Sequence, residues 1–488
     1  MNHALILGIS NFFNKRQLGP HRIATHLRQE GMDVEVIDWA NFFSLEELRE
    51  IIKSRITSKT VFVGFSSFMS YWDKNLDLIC KWIYETYPHV AIIYGGQSPP
   101  RVKTRYIHYY IYGYGEIAAI ELTKSLTGNT PSGGIKFDLS HKDKKVINAI
   151  HSYPAFPKKD LKTVYQNRDF IHEREWLTLE FSRGCIFKCL YCNYPILGVK
   201  GDYTRSAEDF YEEMIGNYDS WGITNYIVAD ETFNDYTEKV IKYANVAERL
   251  PFDPWFSGFL RGDLLASRPQ DWEHMARLGM LGHFYGLESL NPASAKAIGK
   301  GGNMDKILNG ILDAKKYFLS HGQKRYRGQI SLIAGLPYET FETLDNTKKW
   351  LEENWHNEFT NMYPLEIPVD PKVDRLSKLS DSYVKWGYEK LDDGQIDKYG
   401  IDQIEKKMTW KNEHMDLYSA KEYTDNFKFW VQEKDYFGLS VFNLHFPYHT
   451  GKSLDECLKL LFNNTNYYPD DTIFYDRLMN YKHKKLSL

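Results

Sequence analysis

Cys185-Ile-Phe-Lys-Cys189-Leu-Tyr-Cys192 places three thiols within eight residues. The segment follows Trp176-Leu-Thr-Leu-Glu-Phe181-Ser-Arg-Gly184, whose apolar run reads as a strand, so the thiols lie on a loop at a strand end. No fourth cysteine is near. Thiolates are the usual ligands of iron–sulfur clusters, and three of them leave one iron of a four-iron cluster without a protein ligand. An open metal position is where a cofactor or substrate binds, so the pattern points to an enzyme. Two other readings stand beside it. A structural zinc site wants four protein ligands, and the nearest histidine, His172, lies upstream beyond the strand. Unrelated packing thiols are the third reading, since free cysteine is often buried.

The elements around this loop alternate strand and helix. From about 175 to 370 the expected strands are Leu177–Phe181, Tyr226–Ala229, Trp255–Leu260, Gly282–Leu287, Gln329–Ala334 and Phe359–Leu365, with helical stretches such as Ser206–Tyr218 and Thr340–Asn354 between them. Six βα units in succession suggest a partial (β/α)6 TIM-type barrel, whose site lies at the C-terminal strand ends. Polar residues collect at those ends: Asp230-Glu231 after the second strand, Arg261 and Asp263 after the third, Glu288-Ser289 after the fourth, and Gly335-Leu-Pro-Tyr-Glu339-Thr340 after the fifth. Asp230-Glu231 could instead cap a helix, Arg261 could form a structural pair with Asp263, and Glu339-Thr340 reads best as a helix start.

Residues 1–130 show the same alternation over His3–Gly8, Asp33–Asp38, Thr60–Phe65, Val90–Tyr94 and Ile107–Tyr112. This predicts a doubly wound open parallel sheet, flavodoxin-like in outline. Glycines follow several of the strands (Gly8, Gly64, Gly95-Gly96, Gly113, Gly115), which suits a ligand edge as well as ordinary turns. Residues 131–174, with Pro131-Ser-Gly-Gly134 and a charged run, are expected to be a linker. Residues 371–488 are aromatic-rich with weaker alternation, which predicts a mostly helical cap.

Cys-x-x-x-Cys-x-x-Cys after the first barrel strand, with Gly184 before it and Tyr191 inside it, resembles the radical S-adenosylmethionine (SAM) superfamily. The resemblance implies that Cys185, Cys189 and Cys192 hold a [4Fe–4S] cluster whose fourth iron is chelated by SAM. It implies reductive cleavage of SAM to methionine and a 5′-deoxyadenosyl radical, fed by an external electron donor such as flavodoxin or ferredoxin. Asp230 and Glu231 would then face the methionine amino group and Arg261 its carboxylate. Glu288 and Ser289 would face the ribose, with Tyr191, Ile333 and Leu336 at the adenine.

The first 130 residues are similar to the cobalamin-binding domain that precedes many such barrels. The likeness rests on Gly19–Asp38, Gly64-Phe-Ser66-Ser67-Phe-Met69, Tyr94-Gly95-Gly96-Gln97 and Tyr112-Gly113-Tyr-Gly115-Glu116. It implies that Ser66, Ser67, Met69, Gly95, Gly96, Gln97, Gly113, Gly115 and Glu116 embrace cobalamin. The Asp-x-His-x-x-Gly segment that gives cobalt a lower histidine elsewhere is absent; His21 and His26 fall in an expected helix. The function so implied is cobalamin-dependent methylation of an unactivated carbon. Radical rearrangement or oxidation without methyl transfer, and a zinc-bearing binding protein, are the alternatives.

Composition sets the outer bounds. The 488 residues suffice for two to four domains at ~150 residues each. A net charge of −3 with 26% charged residues argues against wholesale nucleic-acid binding. Five cysteines do not make a disulfide framework, and Cys80 and Cys457 read as packing residues. No apolar run approaches the ~18 residues that cross a bilayer, and His3–Gly8 is too short for a signal peptide. A cytoplasmic protein is expected.

Overall fold

The computed structural model describes residues 1–10, 15–68, 74–96, 104–129, 135, 137, 145–149, 161–173, 175–192, 203–321, 326–355, 358–367, 377–391, 408–433, 440–441 and 472–488. Met69, Gln97 and Cys457 lie outside these residues. The chain forms two compact units, one of Met1–Leu179, Glu208–Ile223 and Asp470–Leu488, the other of Glu180–Ala207 and Thr224–Pro469.

The first unit holds a six-stranded parallel sheet of β1 (His3–Ser10), β2 (Asp33–Ile37), β3 (Thr60–Phe68), β4 (Ala91–Gly96), β5 (Tyr109–Tyr112) and β6 (Val146–Asn148), in the order β2-β1-β3-β4-β5-β6. Along β1, Leu5, Leu7 and Ile9 enter one apolar cluster, while Ala4 and Ile6 enter another. Alternate residues thus bury both faces, as a sheet covered by helices on each side requires. The order reverses between β1 and β3, and such sheets bind ligands at the carboxyl ends of the strands beside that reversal.

Two features differ from the sequence reading. Residues 146–148 form β6, so the segment expected to be a linker contributes a strand of the first sheet. The helix Thr472–Ser487, expected in the cap, also belongs to the first unit. Leu478 and Tyr481 enter the same apolar cluster as Leu5, Val63 and Cys80. Tyr481 accepts from the Asp38 amide (2.8 Å), Lys485 pairs with Glu35 (2.9 Å), and Arg477 pairs with Glu175. Arg16 bridges Asp38 and Glu175 from the other side. Burial would raise the Glu175 carboxyl, but Arg16 and Arg477 hold it down at about 2.

The other sheet is also parallel. After β7 (Leu177–Leu179) and a two-residue pair of β8 (Ser182–Arg183) and β9 (Tyr203–Thr204) come β10 (Asn225–Val228), β11 (Trp255–Leu260), β12 (Met280–Glu288), β13 (Arg327–Ala334) and β14 (Phe359–Pro364). Within the second unit its order is β14-β13-β12-β11-β10. Strand order follows chain order throughout, the sign of a sheet that winds one way like a barrel wall. Thr340 caps the helix Phe341–Asn354 through a reciprocal bond with Thr343. In the C-terminal region the second unit shows a two-stranded ladder, Glu389–Lys390 with Trp410–Lys411, and the helix Leu417–Glu433. Among the described residues no helix is long and apolar enough to cross a membrane.

Candidate functional site

The cysteine loop crosses the ends of β10, β11 and β12 in turn. Cys185 Sγ lies 3.8 Å from Thr232 Oγ1, just past β10. Cys189 Sγ accepts from Arg261 Nη1 (3.4 Å), just past β11. The Tyr191 hydroxyl donates to Glu288 Oε1 (2.6 Å), at the end of β12. The loop is pinned by its backbone as well, since Leu190 N donates to Ile298 O (3.0 Å) and Leu379 N to Leu190 O (2.9 Å). Gly184, with φ +93, supplies the left-handed turn that starts it.

Asp230 anchors the base of the loop. Its Oδ1 accepts from Phe181 N (2.8 Å) and its Oδ2 from the Ser182 hydroxyl (2.6 Å). Lys239 Nζ donates to Ser182 Oγ (3.0 Å) and Thr232 O (3.1 Å), and pairs with Asp235. Burial drives the Asp230 carboxyl up to about 6, against the pull of Lys239 and Ser182. The residue that the resemblance assigns to the methionine amino group therefore ties loop to strand. Glu231 lies close enough to Cys185 to disfavour its thiolate.

Arg261 is buried and its fork is occupied. Nε and Nη2 donate to the two oxygens of Asp263 (2.9 and 2.7 Å), and the guanidinium lies 3.9 Å from the Phe187 ring centroid. Burial alone would lower this guanidinium, but Asp263 and the nearby Cys189 raise it above its ordinary value.

At the next strand ends Glu288 has φ +67, stands 3.7 Å from Lys300, and takes the Tyr191 bond. Ser289 Oγ donates to Glu339 Oε1 (2.7 Å), while Glu339 Oε2 accepts from Gly335 N (2.9 Å) and Leu336 N (3.4 Å). Glu339 thus corrects the expectation of a helix start. Thr340 starts that helix, whereas Glu339 turns inward, is 1% exposed, and joins the ends of β12 and β13. Burial pushes its carboxyl up to about 7. The pattern Gly335-x-x-x-Glu339 carried the signal: a carboxylate four residues past a turn glycine can reach back to the amides of that turn. Gly335 has φ +96, and a Cβ there would meet the Trp410 ring at 2.3 Å. Tyr388 donates to its carbonyl (2.6 Å), so the C-terminal region seats directly on this turn. Ile333 is half-buried and Leu336 fully buried.

Three thiols on one anchored loop have the chemistry of a donor set for an iron–sulfur cluster. Among the described residues no three His, Cys, Asp or Glu side chains gather on a single point as ligands of one ion. A cube spreads its thiolates over separate corners, so the set fits a cluster without such convergence. Burial pushes the Cys185 thiol up, an effect that bound iron would reverse. Cys80 is fully buried in the first unit's core, as expected of a packing residue.

In the first unit the register aligns the other group of candidates. Ser66 sits beside Gly8 and Gly95, and Ser67 beside Ile9 and Gly96, with Gly96 beside Tyr112. Gly113 donates to Gly96 O (3.0 Å), and Gly115 precedes the helix Glu116–Leu126. A Cβ on Gly96 would stand 2.7 Å from Ser67 O, so only glycine allows β3 and β4 to meet this closely. Glu116 is buried at that helix start. His21 bonds Asp38 (3.0 Å) and lies tilted against the Tyr165 ring, and His26 bonds Arg22 O (2.9 Å). Both histidines are engaged within the fold.

The site is thus a three-cysteine loop laid across the strand ends of a sheet wound in chain order. Residues 179–351 match the Radical SAM superfamily model. The chain is 24% identical over 349 residues to an uncharacterized methyltransferase, PH0819, of Pyrococcus horikoshii, covering 69% of this chain and 73% of that one. It is 24% identical over 311 residues to the anaerobic magnesium-protoporphyrin IX monomethyl ester cyclase of Synechocystis sp., covering 58% of this chain and 59% of that one. In fold it resembles the radical SAM methyltransferase TsrM of Kitasatospora setae, solved with cobalamin and a [4Fe–4S] cluster, at a TM-score of 0.61, 14% identity and 80% of each chain. It likewise resembles OxsB, a cobalamin-dependent radical SAM enzyme, at a TM-score of 0.59 and 14% identity, over 100% of this chain and 76% of that one.

Proposed function

We propose that this chain is a cobalamin-dependent radical SAM methyltransferase acting on an unactivated carbon. The observation that carries the reading is the pairing of two edges in one chain: the anchored three-cysteine loop, and the row of Ser66, Ser67, Gly95 and Gly96 at the carboxyl end of an open sheet. Cys185, Cys189 and Cys192 would hold the [4Fe–4S] cluster. Glu231, Glu288, Ser289, Ile333, Leu336 and the backbone at Tyr191 would line SAM. Ser66, Ser67, Gly95, Gly96, Gly113, Gly115 and Glu116, with Met69 and Gln97, would hold cobalamin. When bound, the cluster supplies the electron that cleaves SAM, and cobalamin supplies a methyl carrier.

The chain's own residues supply position. Asp230 fixes where the loop leaves its strand, Glu339 fixes the β12 and β13 ends against each other, and Tyr191 fixes the Glu288 carboxylate. Within the first unit His21 bonds Asp38 through Nε2 and His26 bonds the Arg22 carbonyl through Nδ1. The external electron donor is a flavodoxin- or ferredoxin-type protein.

A second reading, radical oxidation or cyclisation without methyl transfer, is favoured by the cyclase relative, which is as similar in sequence as the methyltransferase. Anaerobic purification with iron, sulfide and corrinoid quantified, then a reductant-driven assay with methyl-labelled SAM, separates them. Methyl transfer with bound corrinoid supports the first reading. 5′-Deoxyadenosine production with no corrinoid supports the second.

A further inference from the structure

Arg261 is held from every side. Asp263 takes Nε and Nη2, Gly299 O accepts from Nη2 (3.3 Å), and Phe187 covers the guanidinium face. Its backbone N–H and C=O both bond the Asn234 side chain (2.8 and 3.0 Å). The remaining nitrogen, Nη1, is the one that reaches Cys189 Sγ at 3.4 Å. A carboxylate ligand such as the methionine end of SAM needs the two-nitrogen edge of a guanidinium, and here that edge is filled by Asp263.

From these contacts we infer that Arg261 is a positioning residue for the Cys189 thiolate, one that sets the reduction potential of the cluster rather than binding the SAM carboxylate. The inference rests on the cluster reading above. Its physical basis is the charge change on reduction. The cluster gains one electron from the external donor, no bond forms or breaks, and the thiolate sulfurs become more negative. A cationic N–H donor aimed at a ligating sulfur stabilises the reduced state and so raises the potential. Burial strengthens the effect by removing competing water. Asp263 and Phe187 act by keeping the donor in one place, since an arginine free to turn toward solvent would lose the contact.

The test is a redox titration of the reconstituted cluster followed by electron paramagnetic resonance, with SAM affinity measured on the same samples. Arg261→Met should move the midpoint to a lower potential, with iron and sulfide content and SAM affinity within about twofold of the parent. Arg261→Lys keeps the charge but lacks the fixed fork, and should give a smaller shift in the same direction. An unchanged midpoint with SAM affinity at least tenfold weaker would overturn the inference and make Arg261 a carboxylate ligand. Failure of both variants to assemble a cluster would overturn it too, by showing that the side chain holds the loop together. Failure of the unaltered chain to assemble a cluster would instead refute the cluster reading itself.

Discussion

The carboxylate of Asp230 receives the hydroxyl of Ser182 at 2.6 Å, and its other oxygen receives the amide next to that serine. One buried side chain from the end of β10 thus fixes the first turn of the cysteine loop. Replacing Asp230 with alanine removes two hydrogen bonds to a charged acceptor, roughly 2 kcal/mol or more. If Asp230 is the clamp that these distances describe, D230A should lose iron during anaerobic gel filtration, and D230N should lose much less. Tight iron retention with a selectively raised KM for SAM would instead make Asp230 a direct cofactor contact.

Glu339 gives the site a pH dependence with a definite sign. Burial raises its carboxyl from the ordinary 4.5 to about 7. A raised folded pKa means that the folded state binds the proton more tightly than the unfolded chain. The associated stability is complete below about 4.5 and is lost as pH rises through about 7. The shift corresponds to roughly 3 kcal/mol. Thermal midpoints of the parent should therefore fall relative to those of Glu339→Gln between pH 5 and 8, since glutamine can still accept from the Gly335 amide and donate to Ser289. Parallel pH profiles for the two proteins would show that Glu339 is ionised throughout and that the assignment of its burial is wrong.

Tyr191 and Glu288 form a third testable pair. Tyr191→Phe deletes the 2.6 Å bond and leaves Glu288 with Lys300 as its charged neighbour. The cysteines are untouched, so iron content should stay level while SAM affinity falls several-fold, at about 1 kcal/mol for one lost bond. Calorimetric titration with SAM on the reconstituted protein measures this directly. Equal affinity would mean that Glu288 does not contact the cofactor.

The helix Thr472–Ser487 should be indispensable to the first unit. Ending the chain before Thr472 would strip Tyr481 from Asp38, Lys485 from Glu35 and Arg477 from Glu175, leaving buried carboxylates without these partners. Breaking one buried pair costs on the order of 3–5 kcal/mol. The truncated chain should unfold at markedly lower temperature than the parent, or aggregate. A truncated chain with an unchanged melting profile would contradict the contacts described.

The sequence made some of this legible and hid the rest, for physical reasons. β1 announces itself because a strand buried on both faces must be mostly apolar. The three-residue strand β6 is too short for any periodicity to appear, and it follows a stretch rich in glycine and lysine. The terminal helix is amphipathic, yet nothing local says that its partner is Asp38, 443 residues away. At the site, the residue types at the strand ends were readable but their directions were not. Asp230 turns back to the loop base and Glu339 back to its own turn, because buried carboxylates seek the nearest unpaired amides. Spacing alone does not distinguish such a clamp from a ligand contact.

The central claim is that Cys185, Cys189 and Cys192 hold an iron–sulfur cluster open to SAM at one corner. The most direct measurement is reductant-driven 5′-deoxyadenosine formation by the anaerobically reconstituted chain, compared with its Cys185→Ala, Cys189→Ala and Cys192→Ala variants and with Cys80→Ala and Cys457→Ala. The account predicts turnover in the parent and in the last two variants, and none in the first three. Formation of 5′-deoxyadenosine by any of the first three, or zinc in place of iron in the active parent, would contradict it.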